Sequence, residues 1–484
     1  MKTRNLTLGV LAFLCLSALF YACSGEDAEE MTEETVNNYT ASSNPDSLCF
    51  TDPSWFPHSQ TPAPEEGKGS PFDTSSTTNQ IFHQWSWQKF LWLTKPDNGN
   101  PLFLNLSKVY QVDANMNQVT PQSGTTVSLV DTEQAGFQEA ILQSNPAYAE
   151  DGNSHTVYYS IHMNPTMFEA GEGFAADIIS GKLDSNNFEA FPVGSFELKA
   201  SWISIDAIKK DKRSGYFTTT ASLSTDGGKT YQSMEMALLG MHVVGVVENH
   251  PEFIWATFEH NDLGPDFDRS ANGGKGGATA ANDMLLFAKG STEDINGIVY
   301  DTSTKLGKDP HHVFDLFAYG VPTDTGNNPM RNTAQQEPEN LNNIVGINAC
   351  VKSQLDDVWA NYHYQGSLWL NTDGMTPKQQ AELLVNQGYN IAKATKGSYA
   401  RGSLGNANIT METFTQTFKS SNADININNL ANCFSCHAAE GFNNHTSPIY
   451  ISHVFDGYLH QEMGLQPSAI EKLKLKHEKM TTPK

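Results

Sequence analysis

The chain has 484 residues, 38% hydrophobic and 10% aromatic, enough for a packed core and too apolar for wholesale disorder. Its 30 Lys and Arg face 54 Asp and Glu, a net charge of −24, so no nucleic-acid partner is expected: phosphate neutralisation needs clustered cations. No internal run reaches the ~18 apolar residues needed to span a bilayer, which excludes a polytopic helical membrane protein.

In chain order, residues 1–22 read as a secretory signal. Lys2 and Arg4 form a short positive start, and Leu6 to Phe20 is apolar. Phe20-Tyr21-Ala22-Cys23 resembles the lipobox, in which a small residue precedes the Cys that becomes lipidated, although Phe20 replaces the usual aliphatic residue. The plainer alternative is an ordinary signal cut nearby, with Cys23 unmodified. From Cys23 to Gly67 there is no Lys or Arg, while Glu26, Asp27, Glu29, Glu30, Glu33 and Glu34 crowd the start. The composition predicts an acidic, flexible tether over 23–78. Together these segments predict an outer-membrane lipoprotein held by a lipid anchor, on the periplasmic side or at the cell surface.

Ordered structure is expected from Asn79. Ile81 to Thr94 carries Phe82, Trp85, Trp87, Phe90, Leu91 and Trp92 at mostly helical spacing, which predicts a helix buried on more than one side. Strand patterns follow at His155 to Met163, Ser195 to Ile205 and Gly215 to Ser222. Met234 to Val247 and Glu252 to His260 read as an antiparallel pair. Ala271 to Ala281 is Gly- and Ala-rich without the residue order of a phosphate-binding loop, and reads as a loop. Leu341 to Tyr362 and Lys378 to Lys396 read as amphipathic helices. The predicted class is α+β: an antiparallel-sheet core over 79–335, then a helical part over 336–484 that ends in a haem-bearing segment.

The cysteines carry the strongest signal. Cys433-Phe434-Ser435-Cys436-His437 is the c-type haem attachment pattern, in which two thiols add to the haem vinyl groups and the adjacent imidazole lies beneath the iron. The competing reading is a zinc site built from Cys433, Cys436 and two of His437, His445 and His453. Cys15 leaves with the signal and Cys23 takes the lipid, so Cys49 and Cys350 remain as a candidate disulfide in an oxidising compartment, or as two buried thiols.

The set Trp85-Ser-Trp-Gln-Lys-Phe90, Glu197-Leu-Lys-Ala-Ser-Trp202, Gly240-Met-His242 and Trp255-Ala-Thr-Phe-Glu-His-Asn-Asp262 resembles a group of exported bacterial cytochrome c-like proteins with a single C-terminal C-x-x-C-H. The similarity runs from about Asn79 to His453. It implies one covalent haem c on a large scaffold and assigns no activity.

His437 is the expected proximal ligand. Only 47 residues follow it, too few for a separate small cytochrome domain. Met463 and Met480 are the downstream Met candidates for the distal side, and His445, His453 and His460 the His candidates. The sheet supplies a further one, His242, in an apolar strand flanked by Gly240 and Gly245, with Glu259 and His260 ending the adjacent strand. A hydrogen-bonded core histidine is the plain alternative for His242. His311 and His312 are adjacent and diverge, so they do not make one site. Three functions fit these residues. They are electron transfer with a redox partner protein, a peroxidase- or oxidase-like haem enzyme acting on a small oxidisable substrate, and a surface-binding lipoprotein with structural haem.

Overall fold

A computed structural model of the chain describes residues 49–75, 79–130, 143–184, 186–264, 281–289, 338–387, 398–403, 406, 408–411, 433–437, 439, 441 and 445–464. Cys23, the expected Ala271–Ala281 loop up to position 280, His311, His312 and Met480 lie outside the described residues, as does the end of the helix expected to reach Lys396. The protein is mixed α+β. Nine strands form one sheet: β1 (Tyr110–Val112), β2 (Val127–Val130), β3 (Val157–Met163), β4 (Phe196–Ser204), β5 (Thr218–Ser224), β6 (Gln232–Val247), β7 (His250–His260), β8 (Tyr362–Leu370) and β9 (Ala400–Gly402).

The expected simple antiparallel sheet is corrected by the long strand β6. One edge of β6 pairs with β4 from Met236 to Gly245. The opposite edge is shared: Gln232 to Ala237 pairs with β5, and Gly240 to Val247 pairs with β7. A bulge in β6 opposite Ser201/Trp202 marks the handover, where Leu238 N–H donates to Phe217 O instead. Bulges bend a strand and raise its twist, which lets a 16-residue strand serve two partners along one edge. Since β5 runs parallel to β2, and β2 pairs with β3 and β3 with β4, strands β6–β4–β3–β2–β5 close into a five-stranded barrel. Beyond the handover the sheet continues open through β7, β8 and β9.

One face is sealed by α1 (Ile81–Thr94). Ten of its fourteen residues are buried, among them Trp85, Trp87 and Phe90, as the aromatic pattern predicts. Phe90 stacks on Phe258 of β7 with ring centroids 4.0 Å apart. The barrel's Val127, Leu129, Trp202, Ala221, Leu223 and Met236 belong to the same apolar cluster.

The tether expected over 23–78 is corrected over 49–75. Trp55, His58 and Phe72 are buried there, and the segment covers the outer side of α1. His58 Nε2–H donates to Leu91 O at 3.0 Å, satisfying a carbonyl in the last turn of α1. Glu66 receives Lys89 at 2.9 Å on both carboxylate oxygens and the Trp85 indole N–H at 2.6 Å. The Pro-, Ser- and Thr-rich composition hides this, because a few aromatic anchors suffice to dock an irregular segment. Cys49 and Cys350 are joined by a disulfide, Cα atoms 5.3 Å apart and 301 residues apart in sequence.

The helix expected over Leu341–Tyr362 ends sooner. Helix α3 spans Pro338–Gln354, then Asp357 accepts from Trp359 N–H and caps a short 3₁₀ turn over Val358–Asn361. β8 starts at Tyr362 and pairs with β7. Leu355 and Trp359 are buried in that connection, which is why an apolar period of three to four persists past the helix. Helix α2 (Pro165–Ile179), capped by Asn164, is missed in the sequence reading, and α4 (Pro377–Gln387) lies where a helix is expected from Lys378; both pack into the apolar cluster on the sheet face opposite α1. One turn over Cys433–Cys436 (α5) and helix α6 (His453–Glu462) cover the sheet opposite α1. All of these belong to one compact unit, Pro45–Lys484. Among the described residues no helix is long and apolar enough to cross a membrane.

Candidate functional site

The sheet face opposite α1 is set by strand parity and register. Paired residues share a face, so Lys199 of β4, His242 of β6 and Thr257 of β7 form one row. Glu197, Val244 and Trp255 form the next. The C-terminal segment lies over these rows. Phe434 packs edge-on against Trp255, and the His437 ring lies 4.3 Å from the Trp255 ring.

Residues 433–437 make one helical turn closed by the His437 N–H donating to Cys433 O at 2.8 Å. Spacings of three and four place Cys433, Cys436 and His437 on one side of that turn. Cys433 is partly buried; the Cys436 side chain lies outside the described residues. His437 Nδ1 sits 2.8 Å from Ile451 O. A carbonyl only accepts, so Nδ1 carries the proton and Nε2 carries the lone pair. Among the described residues Nε2 has no hydrogen-bond partner. Burial, with the charge of His453 adding to it, holds the imidazole well below its ordinary pKa, so the ring is neutral.

Those features match what a haem iron asks of a proximal imidazole: a neutral ring and an Nδ1–H anchored to a backbone carbonyl, one helical turn from Cys433. His437 fits the proximal position of a covalent haem whose attachment thiols would be Cys433 and Cys436. For the zinc reading, His445 is spent: its Nε2–H donates to Asn187 O at 2.6 Å and its Nδ1 accepts from the Tyr450 hydroxyl at 2.8 Å. Among the described residues no group of three or more His, Cys, Asp or Glu is arranged around a bare ion.

The distal candidates separate clearly. His453, the first residue of α6, stacks on His437 with centroids 3.9 Å apart and planes 12° from parallel. His242 lies close enough that its charge also bears on His437. Met463 is the C-cap of α6, at the far end from His453, about 15 Å away at 1.5 Å per residue. His460 donates from Nδ1 to Asp456 O within its own helix. Glu259 faces the row of His242 but accepts from Ile409 N–H and Gln365, and His260 on the other face stacks on Tyr216 at 3.6 Å. The glycines beside His242 have structural reasons. A Cβ at Gly240 would meet the Asn408 amide at 2.7 Å, and one at Gly245 would meet Trp85 at 2.8 Å.

Sequence reasoning missed Glu197, Lys199, Trp255 and Thr257 as members of this site. Glu197 receives the Ser452 hydroxyl at 2.7 Å, one residue before His453. Burial raises its carboxyl to about 6, against the opposing pull of Ser452 and Lys199. All four stand in strands whose register, once known, brings them together; their two-residue period was the available signal. No known protein family, curated protein or solved structure matches the chain significantly.

Proposed function

We propose that the protein is an exported, monohaem c-type cytochrome-like protein that transfers electrons in the bacterial envelope. The observation that supports this best is the state of His437: neutral, tied by Nδ1–H to Ile451 O, with no hydrogen-bond partner for Nε2 among the described residues, one turn from Cys433. Covalent haem c would be held by Cys433 and Cys436, with His437 proximal. When bound, the haem supplies a site that gains and loses one electron. The chain orients the His437 ring between Trp255 and His453 and covers it with the C-terminal segment.

In this reading Cys23 carries the lipid that anchors the protein to the outer membrane, facing the periplasm or the cell exterior. The Cys49–Cys350 disulfide accords with an oxidising compartment. A net charge of −24 favours a basic redox protein as partner through electrostatic steering. The likeness to exported cytochrome c-like proteins with one C-terminal haem motif points the same way.

The test is production of the full chain with c-type maturation machinery, followed by haem staining of the denatured protein. The wild type is expected to stain and Cys433→Ser/Cys436→Ser to lose the stain; staining that survives in the double variant refutes covalent attachment. A reduced visible spectrum unmoved by carbon monoxide is expected for electron transfer. A shift on adding the gas would instead give the haem-enzyme reading the lead.

A further inference from the structure

We propose that the buried His445–Tyr450 pair positions the proximal imidazole: it holds the Ile451 carbonyl in front of His437 and so orients the ligand ring. This inference rests on the haem reading above and adds to it the residues that set the ligand.

Three observations carry it. The first is that His445 has both ring nitrogens committed to one geometry. It is 4% exposed, and its Nε2 lies 2.6 Å from Asn187 O. A carbonyl only accepts, so Nε2 carries the proton, and in the neutral ring Nδ1 accepts from the Tyr450 hydroxyl at 2.8 Å. Burial, with the charge of Asp456 adding to it, holds that phenol above its ordinary range, so the hydroxyl keeps the proton it donates. The imidazole is a bridge between Asn187 and Tyr450, with no nitrogen left for a metal.

The second observation is where the bridge ends. Tyr450 and Ile451 close a 3₁₀ turn over Pro448–Ile451, in which Tyr450 N–H donates to Ser447 O at 3.1 Å. Ile451 O accepts His437 Nδ1–H at 2.8 Å, so fixing Tyr450 fixes the carbonyl one peptide further on. The turn is clamped on either side. Ahead of it Ser447 Oγ donates to Glu189 O and accepts from Glu189 N–H, and behind it the Ser452 hydroxyl donates to Glu197. An outer partner held in this way is what fixes the orientation and basicity of a ligating imidazole.

The third is the span of the tie. Asn187 and Glu189 lie in the connection between α2 and β4, 258 positions before the residues they hold. The folded body ahead of the haem motif therefore sets the ring, and not the short peptide around it. Gly441 shows how tightly the cover is pressed on this device: a Cβ there would come within 2.3 Å of the Tyr450 ring. Every contact involved is made by the chain itself, so the device can be read with and without haem.

The test has two arms. The first uses the full chain made without maturation machinery and labelled with ¹⁵N-histidine, its His437 signal assigned by loss in His437→Ala. Wild type is expected to show the Nδ1–H tautomer. Tyr450→Phe keeps the ring against Gly441, removes only the hydroxyl, and is expected to shift that signal toward a mixture of tautomers. His445→Leu should do the same, whereas His445→Gln, which can still donate to Asn187 O and accept from Tyr450, should stay near wild type. The second arm uses the haem-loaded chain. Tyr450→Phe and His445→Leu are expected to raise the midpoint potential and move the ferric EPR g values, because a misplaced acceptor leaves the imidazole a poorer donor to ferric iron. If His445→Leu does not fold, Tyr450→Phe decides alone. A tautomer and a potential that both stay at wild-type values in Tyr450→Phe overturn the proposal, even where thermal unfolding shows lost stability. An unstained wild type removes the haem reading itself, and the first arm still decides whether the pair orients His437.

Discussion

The two faces of the sheet are covered by segments of opposite character. On the α1 side, Trp85, Trp87, Phe90 and Phe258 interlock, and the polar groups among them are paired off: Lys89 with Glu66, His58 with Asp357, His83 with Tyr364 and Asn340. On the C-terminal side, His437 is tied by one nitrogen, and the other has no hydrogen-bond partner among the described residues. A buried polar group with every site satisfied specifies structure. A ring with one nitrogen fixed and the other exposed as a lone pair specifies chemistry. The pairing on the α1 side has an exception among the described residues in His162, whose Nδ1 is buried without a hydrogen-bond partner.

The comparison breaks most visibly on the closed face. Lys89→Met leaves the Glu66 carboxylate buried without its cation, and a loss of about 3–5 kcal/mol is expected in urea unfolding. Adding Glu66→Gln should recover much of it; a double variant as unstable as the single one would show that the pair is not what holds the N-terminal segment down. Removing the disulfide with Cys49→Ser/Cys350→Ser is expected to cost about 2–5 kcal/mol, read in the same assay, while leaving the haem stain intact.

How much of this was legible in the sequence differs between the faces for a physical reason. Helix α1 and strands β3, β4, β6 and β7 could be read because burial imposes a period on their side chains. Barrel closure could not, since periodicity reports which face is buried and says nothing about which edge finds a partner; the parallel β2–β5 ladder leaves no trace in composition. The docking of 49–75 was hidden because Trp55, His58 and Phe72 are sparse anchors in a linker-like background. In the site, Cys433, Cys436 and His437 were legible as a contiguous motif. Glu197, Lys199, Trp255 and Thr257 were not, because they converge only through the register of β4, β6 and β7.

Titration sharpens the comparison, since the two faces should respond to pH with opposite sign. On the closed face, burial lowers His83 to about 4 and His162 to about 3, so both stay neutral in the fold while the unfolded chain takes up protons below about 6.5. Their contribution is complete above that pH and lost as pH falls, at about 1.4 kcal/mol per pH unit for each. His162→Phe, replacing a ring whose buried Nδ1 has no partner among the described residues, should flatten the decline between pH 6 and pH 4. A slope equal to that of the wild type would refute it.

On the site face Glu197 runs the other way. Its carboxyl is raised from 4.5 to about 6, so the folded protein holds that proton more tightly than the unfolded chain. The stability this lends is present below about 4.5 and lost as pH rises through about 6. Glu197→Gln keeps an acceptor for the Ser452 hydroxyl but cannot ionise. It should therefore match the wild type near pH 4 and exceed it at pH 8 by up to about 2 kcal/mol. An equal or larger gain at pH 4 would mean that shape, and not charge, is what Glu197 costs. The expected result would make Glu197 a carboxylate kept under the C-terminal cover at the expense of stability, hydrogen-bonded to the residue that precedes His453.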